Sequence, residues 1–222
     1  MKVDTKTIIL DTAERLFADS GFIATSLRDI TSKANVNLAA VNYHFGTKEA
    51  LLAAVMERRF RPINDARLQL LDELEASTNN KTITLEGLLK AFLIPPFHQQ
   101  REWGEPGKKF LKLAGHIHGE NNEEIRLLLL KQFVTVLERF TKAFHHVLPH
   151  LEPSEINRRM AFLIGAMAFA MMNAEQITAS DSKDSQQPEQ LLTSLIKFCV
   201  GGMTGSDSAP TSSSAVLNGV HK

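Results

Sequence analysis

At 222 residues with 43% hydrophobic side chains, the chain can bury a sizeable core, as one domain with an appendage or as two. Its 25 basic and 25 acidic side chains cancel, which excludes a polycation that binds nucleic acid by bulk charge. A single cysteine, Cys199, excludes an internal disulfide, and the longest apolar run, the twelve residues from Ala161 to Met172, falls short of a bilayer span. A soluble, cytoplasmic protein with no membrane partner is expected.

In chain order, residues 5–19 place Ile8, Ile9, Ala13, Leu16 and Phe17 at helical spacing, and Gly21 ends that helix. Ser26 with Asp29 has the form of a capping box, so the next helix begins at Leu27, with Leu27, Ile30 and Ala34 on one face. Asn35-Val36-Asn37 interrupts it: Asn tolerates the left-handed backbone of a sharp turn, and Asn37 can cap a third helix. That helix, from about Leu38 to His44, is too short to stand alone, so Val41 and Phe45, with Leu38 or Tyr43 in part, must anchor it. Ala39, Ala40, Asn42 and His44 are left outside. A short propped helix with a low-relief polar face suits a DNA major groove, and the pattern is a helix-turn-helix.

Here the residues also carry a resemblance. ILDTAERLFADSGFIATSLRDITSKANV followed by AVNYHFGTKEALL, within residues 5–55, resembles the TetR family of bacterial transcriptional regulators. VNLAAVNYHFG, then FLKLAGHIHG and AFLIGAMAFAMM, is similar to the PsrA-like, fatty-acid-responsive branch of that family. The resemblance implies an all-α fold: a three-helix helix-turn-helix DNA-binding domain over 1–48, a helical ligand-binding and dimerisation domain over 49–203, and, from its Ser, Thr, Gly and Ala content, a disordered tail over 204–222. It also favours a phosphate contact for Tyr43, which in isolation reads equally as a half-buried aromatic with its hydroxyl in water.

His44 and Lys48 then reach one phosphodiester strand, and Ser26 and Arg28, joined by Thr25, supply a flanking backbone clamp. Base reading falls to Ala39, Ala40 and Asn42, with Asn37 at the edge; Ala against a thymine methyl and Asn against adenine are the reasonable pairings. Residues 1–48 carry only six basic against five acidic side chains, so two copies must share one duplex, a pseudo-palindromic operator read by a homodimer.

Beyond this region a long helix is predicted over 48–75, kinked or divided at Pro62, then a linker over 77–80. Helices come next at about 84–94, 107–117, 122–147, 154–177 and 188–203, broken by Pro95-Pro96, Gly119, Pro149, Pro153 and the polar stretch 179–187. The helix 154–177 is apolar nearly all round and needs cover on two sides. Phe162, Gly165, Ala166, Phe169 and Ala170, with Leu191, Leu195 and Phe198 of the last helix, form a candidate four-helix dimer seam. A second apolar set, Leu89, Phe92, Leu93, Phe97, Phe110, Leu113, Ile117, Phe133, Leu137 and Phe140, reads singly as core and collectively as the lining of an elongated pocket.

The resemblance implies an acyl effector there, a long-chain fatty acid or its coenzyme A thioester. Arg101, Lys108, Lys109, Lys112, Arg158 and Arg159 are the candidate partners for an anionic head. His116 with His118 and His146 with His150 lack the convergent ligands of a zinc site, no nucleophile or phosphate-cradling motif occurs, and Cys199 sits in an apolar run as a core or interface residue. No enzyme, metal or cofactor is expected. The expected function is a ligand-responsive repressor. The alternatives are a drug-sensing efflux-pump repressor of the same family and, more remotely, a lipid-binding protein or acyl-transfer enzyme without DNA function.

Overall fold

The computed structural model describes residues 4–77, 83–107, 110, 123–178 and 187–205, and among these every regular element is a helix. The first three are α1 (Thr5–Ser20), α2 (Leu27–Ala34) and α3 (Leu38–Phe45). Ile9, Ala13 and Phe17, four apart on α1, bury against Ile30 of α2 and Val41 of α3. Gly21, at φ 81°, ends α1 and returns its N–H to the Phe17 carbonyl, a backbone angle that a side chain would strain.

α4 (Lys48–Ser77) is the structural axis. Leu51, Leu52, Val55 and Met56 complete the first core, which also takes in Phe110 and Ile125. Leu71 enters a second core made with Leu88, Phe92, Val136, Phe140, Ile156, Met160, Leu195 and Ile196, with Leu68 and Leu74 packed at its edge. One rod therefore joins two cores. Pro62 lies between its two apolar stretches but does not divide the helix.

The remaining helices are α5 (Leu85–Trp103), α6 (Glu123–Lys131), α7 (Val134–Val147), α8 (Pro153–Met172), α9 (Ala174–Thr178) and α10 (Gln187–Thr204). Three expectations change here. The break predicted at Pro95-Pro96 does not occur, and α5 runs on to Trp103 with both prolines buried. Pro96 has no N–H to offer the Phe92 carbonyl one turn back, and Nε of Arg67 on α4 donates to that carbonyl at 2.8 Å instead.

The single helix expected over 122–147 is two, α6 and α7, separated at Gln132-Phe133. Gln132 and Phe133 donate to Leu129 and Leu130 in tightened last turns, and the Gln132 carbonyl accepts from Asn64 Nδ2 on α4 at 2.7 Å. The helix expected over 154–177 stops at Met172. There the Asn173 side chain joins its own N–H on the Phe169 carbonyl, a local bond that competes with continuation, and α9 restarts beyond it. The helix predicted at 107–117 lies outside the described residues, Gly107 and Phe110 excepted. So do residues 78–80 of the linker, 179–186 of the polar stretch and 206–222 of the tail.

Candidate nucleic-acid interface

The turn between α2 and α3 is built by its own side chains. Asp29 N–H donates to Ser26 Oγ at 3.1 Å, Ser26 N–H returns to Asp29 Oδ2 at 2.9 Å, and Ser26 Oγ donates to the same oxygen at 2.6 Å. These bonds hold the Asp29 carboxyl below its ordinary pKa. Asn35 takes the left-handed backbone at φ 52°, and Asn37 caps α3 by accepting Ala40 N–H at 2.8 Å. Each expectation about this turn rested on short-range chemistry, and the structure realises it.

α3 buries Val41 completely, rests Ala40 and Phe45 partly on the first core, and leaves Asn37, Leu38, Ala39, Asn42 and Tyr43 exposed. Three expectations are corrected. Ala40, resting on the core, and His44 are each half covered, and the Tyr43 ring is not buried. At 85% exposed it projects into solvent, steadied edge-on by the half-exposed His44 ring at 5.1 Å. Tyr43 therefore does not anchor α3, and its hydroxyl is presented on a projecting ring. Arg28 and Ser26 are exposed at the start of α2.

Two other residues have different work. Thr25 is 3% exposed, and its hydroxyl donates to the Leu16 and Gly21 carbonyls at 3.2 and 2.8 Å, so it closes the loop after α1 and offers nothing outward. Lys48 Nζ donates to the Phe22 and Thr25 carbonyls, both at 3.0 Å, and lies 4.2 Å from the Phe22 ring centre. Two of its three N–H groups satisfy loop carbonyls, which ties that loop to the first turn of α4. Thr25 and Lys48 thus hold the frame on which α3 sits.

A second set of contacts fastens α1 to α4 and was not visible in the sequence. Glu14, almost fully buried, receives both Arg58 and Arg59, and Arg58 also reaches Asp11 at 2.6 Å. Burial works against the Arg58 charge, but the hydrogen bonds and charges of Glu14 and Asp11 outweigh it and raise its pKa. No local signal pairs residues more than forty positions apart.

The expected pocket set divides. Leu89, Phe92, Leu93 and Phe140 are at most 1% exposed, and Phe92 meets Phe140 edge-on at 5.1 Å. A side chain with no accessible surface borders no void that could hold even a water, so in this conformation these four are packed core. Phe97 and Leu137 lie at the edge of that core. Phe110 belongs to the first core, where Phe60 stands 4.9 Å from it and 4.6 Å from Phe133. Leu113 and Ile117 lie outside the described residues, as do Lys108, Lys109, Lys112, His116, His118, Gly115 and Gly119. A hollow of about 240 Å³ opens between α1 and α2 beside Leu16, Thr25, Asp29 and Lys33.

Of the candidate head-group cations, Arg101 faces Glu189, Arg158 pairs with Glu155, and Arg159 pairs with Glu155 while donating to the Met203 and Gly205 carbonyls. Cys199 is buried in the second core, and burial pushes its thiol pKa up, the opposite of an activated nucleophile. Among the described residues no three His, Cys, Asp or Glu side chains gather as metal ligands, and no helix is long and apolar enough to cross a membrane.

Of the seam residues, Phe162, Phe169 and Phe198 are 72, 60 and 69% exposed, Gly165 is exposed, and Ala166 and Leu191 are half covered. Ala170 and Leu195 are corrected: both are buried inside the single chain, on the inner faces of α8 and α10.

Residues 9–55 match the family model of bacterial regulatory proteins of the tetR family, and residues 90–202 match that of a tetracyclin repressor-like C-terminal domain. The transcriptional repressor Rv3405c of Mycobacterium tuberculosis is 49% identical over 49 residues, 22% of this chain and 26% of that protein. The repressor KstR2 of Rhodococcus jostii is 32% identical over 88 residues, 40% of this chain and 41% of that one. Against these curated relatives the aligned stretch thus spans between about a quarter and two fifths of their length. Among solved structures, the fatty acid degradation regulator FadR of Bacillus halodurans superposes with a TM-score of 0.61 over 92% of this chain and 98% of its own, at 16% identity, a likeness of fold. With helices in this order and family models covering both halves, the chain belongs to the TetR family of bacterial regulatory proteins.

Proposed function

We propose that the protein is a DNA-binding transcriptional regulator, a repressor, that acts as a homodimer and changes operator affinity when an apolar effector binds its C-terminal helices. The observation that carries this reading is α3: a capped eight-residue helix, held by Val41, that turns Ala39, Asn42 and Tyr43 outward. Ala39 and Asn42 face base edges, with Ala40 and Asn37 at the margin. Tyr43, His44, Arg28 and Ser26 meet phosphates, while Thr25 and Lys48 keep the frame in register.

Dimerisation is supported by the aromatic rings on α8 and α10, because a monomer gains nothing by leaving Phe162, Phe169 and Phe198 in water. Regulation is linkage: an effector that prefers one dimer conformation shifts the population and the spacing of the two α3 helices. Weakening operator binding a hundredfold takes roughly 2.7 kcal/mol of differential affinity, within reach of burying one acyl chain. The α4 rod, seated in both cores and latched to α1 through Glu14 and Arg58, is the mechanical link.

The effector class proposed is a long-chain fatty acid or its coenzyme A thioester, on the resemblance of VNLAAVNYHFG, FLKLAGHIHG and AFLIGAMAFAMM to the PsrA-like branch. A gel shift with DNA from upstream of the protein's own gene tests the reading. A discrete complex lost in Tyr43→Ala, with unchanged thermal unfolding, is expected; no complex at micromolar protein and moderate salt overturns it.

A further inference from the structure

Among the described residues, Arg67 is a buried cation with no acidic partner. It sits in the middle of α4 at 2% exposure, four residues from Ile63 and four from Leu71, where the buried stripe calls for an apolar residue. Its described partners are all neutral: Nε to the Phe92 carbonyl at 2.8 Å, Nη1 to Asn64 Oδ1 at 3.3 Å, and Nη2 to the Met167 thioether at 3.3 Å. The guanidinium lies over the Phe92 ring, 4.2 Å from its centre. Among the described residues no carboxylate stands within ion-pair distance of it, and burial alone pushes its pKa down to about 9.

Mending the carbonyl that Pro96 leaves open needs one neutral donor, which a glutamine supplies. Arginine brings five N–H groups and a charge to that task, and a buried charge without a counter-ion is a standing cost. Among its described contacts the weakest is that of Nη2, whose partner is a weak acceptor on an unbranched, half-buried side chain able to swing aside.

We infer that Arg67 is the anchor for the carboxylate head of the effector, taken in bidentate fashion on its Nη edge when Met167 moves away. This rests on reading the C-terminal helices as an effector domain and narrows the effector to a free aliphatic carboxylic acid. A planar carboxylate matches the guanidinium fork with one negative charge, whereas a phosphate carries more charge and costs more to strip of water. The neighbours Phe92 and Met167 carry apolar side chains, which suits an alkyl tail. A coenzyme A thioester has exchanged that carboxylate for a neutral group and gains nothing from this anchor.

The test uses the full chain with dodecanoate, dodecan-1-ol and dodecanoyl-coenzyme A as probes, read by titration calorimetry. Wild-type protein is expected to bind dodecanoate at least tenfold more tightly than the alcohol or the thioester. Arg67→Gln, which keeps a donor for the Phe92 carbonyl, is expected to lose dodecanoate at least tenfold and leave the alcohol unchanged. If Arg67→Gln does not fold, Arg67→Lys, which keeps the charge and removes the fork, is expected to weaken dodecanoate selectively. Equal binding of acid and alcohol, tighter binding of the thioester, or dodecanoate binding indifferent to both variants overturns the inference. Gel shifts run beside it separate the two readings: DNA binding without any dodecanoate binding sinks the anchor alone. The dodecanoate pattern without DNA binding sinks the regulator reading and leaves the anchor standing.

Discussion

Helices α3 and α8 each leave a face uncovered, and the two faces are opposite in kind. α3 shows Ala39, Asn42 and Tyr43, small or polar-tipped groups on a helix with one fully buried anchor. α8 shows Phe162, Gly165 and Phe169 on a helix whose other side is deep in the second core. A face that stays hydrated until a polar, charged partner arrives needs modest apolar area and available hydrogen bonds. A face that must be covered permanently carries aromatic rings, because their burial supplies the association energy. On the proposed reading, the contrast separates a surface for reversible partnership from one for a standing partnership, within a single chain.

The strongest way to break that contrast is to charge the aromatic face. Phe169→Glu with Phe198→Glu is expected to give monomers by sedimentation and to weaken operator binding by roughly 10²–10⁴, since the second half-site is lost as a tethered contact. Monomers that still bind the operator at full strength would show the two faces to be independent. Next in size, Tyr43→Ala is expected to cost roughly a hundredfold in operator affinity in a gel shift, a charge-assisted hydrogen bond in each of two copies, with the melting temperature unchanged.

Lys48→Met and Val41→Ala sharpen the division between contact and frame. Each is expected to lower stability by about 2 kcal/mol in urea unfolding, the first by orphaning the Phe22 and Thr25 carbonyls and the second by opening a void under α3. A Lys48→Met protein with wild-type stability and no DNA binding would return that lysine to the contact set. Ser26→Ala is smaller, about 1 kcal/mol for a lost helix cap.

The smallest effect is in acid. Because Ser26 holds the folded pKa of Asp29 below its ordinary 3.8, its contribution is present above about pH 4 and is lost as pH falls through the folded value. Asp29→Asn is therefore expected to flatten the pH dependence of helicity below pH 4, measured by circular dichroism.

The helix-turn-helix was legible because its determinants lie within four residues of one another: Ser26 with Asp29, Asn35 at the turn, Asn37 with Ala40. Capping and turn chemistry are local, so a sequence states them directly. The pocket was not legible, because Leu89, Phe92 and Phe140 satisfy a core and a cavity lining by the same composition, and only packing tells them apart.

By itself, then, the sequence determined an all-α fold class, the bounds of α1 to α4 to within two residues, and the outward placement of Ala39 and Asn42 on α3. Periodicity and capping act over one or two turns, and that is the range a linear text records. Tertiary structure decided that Thr25 and Lys48 face inward, that α5 survives two prolines, and that Arg67 is buried against the carbonyl Pro96 leaves open. Each of these depends on a donor brought to an acceptor more than twenty residues away or, for Thr25, across a loop closed by packing. Such pairings exist only once the cores have formed.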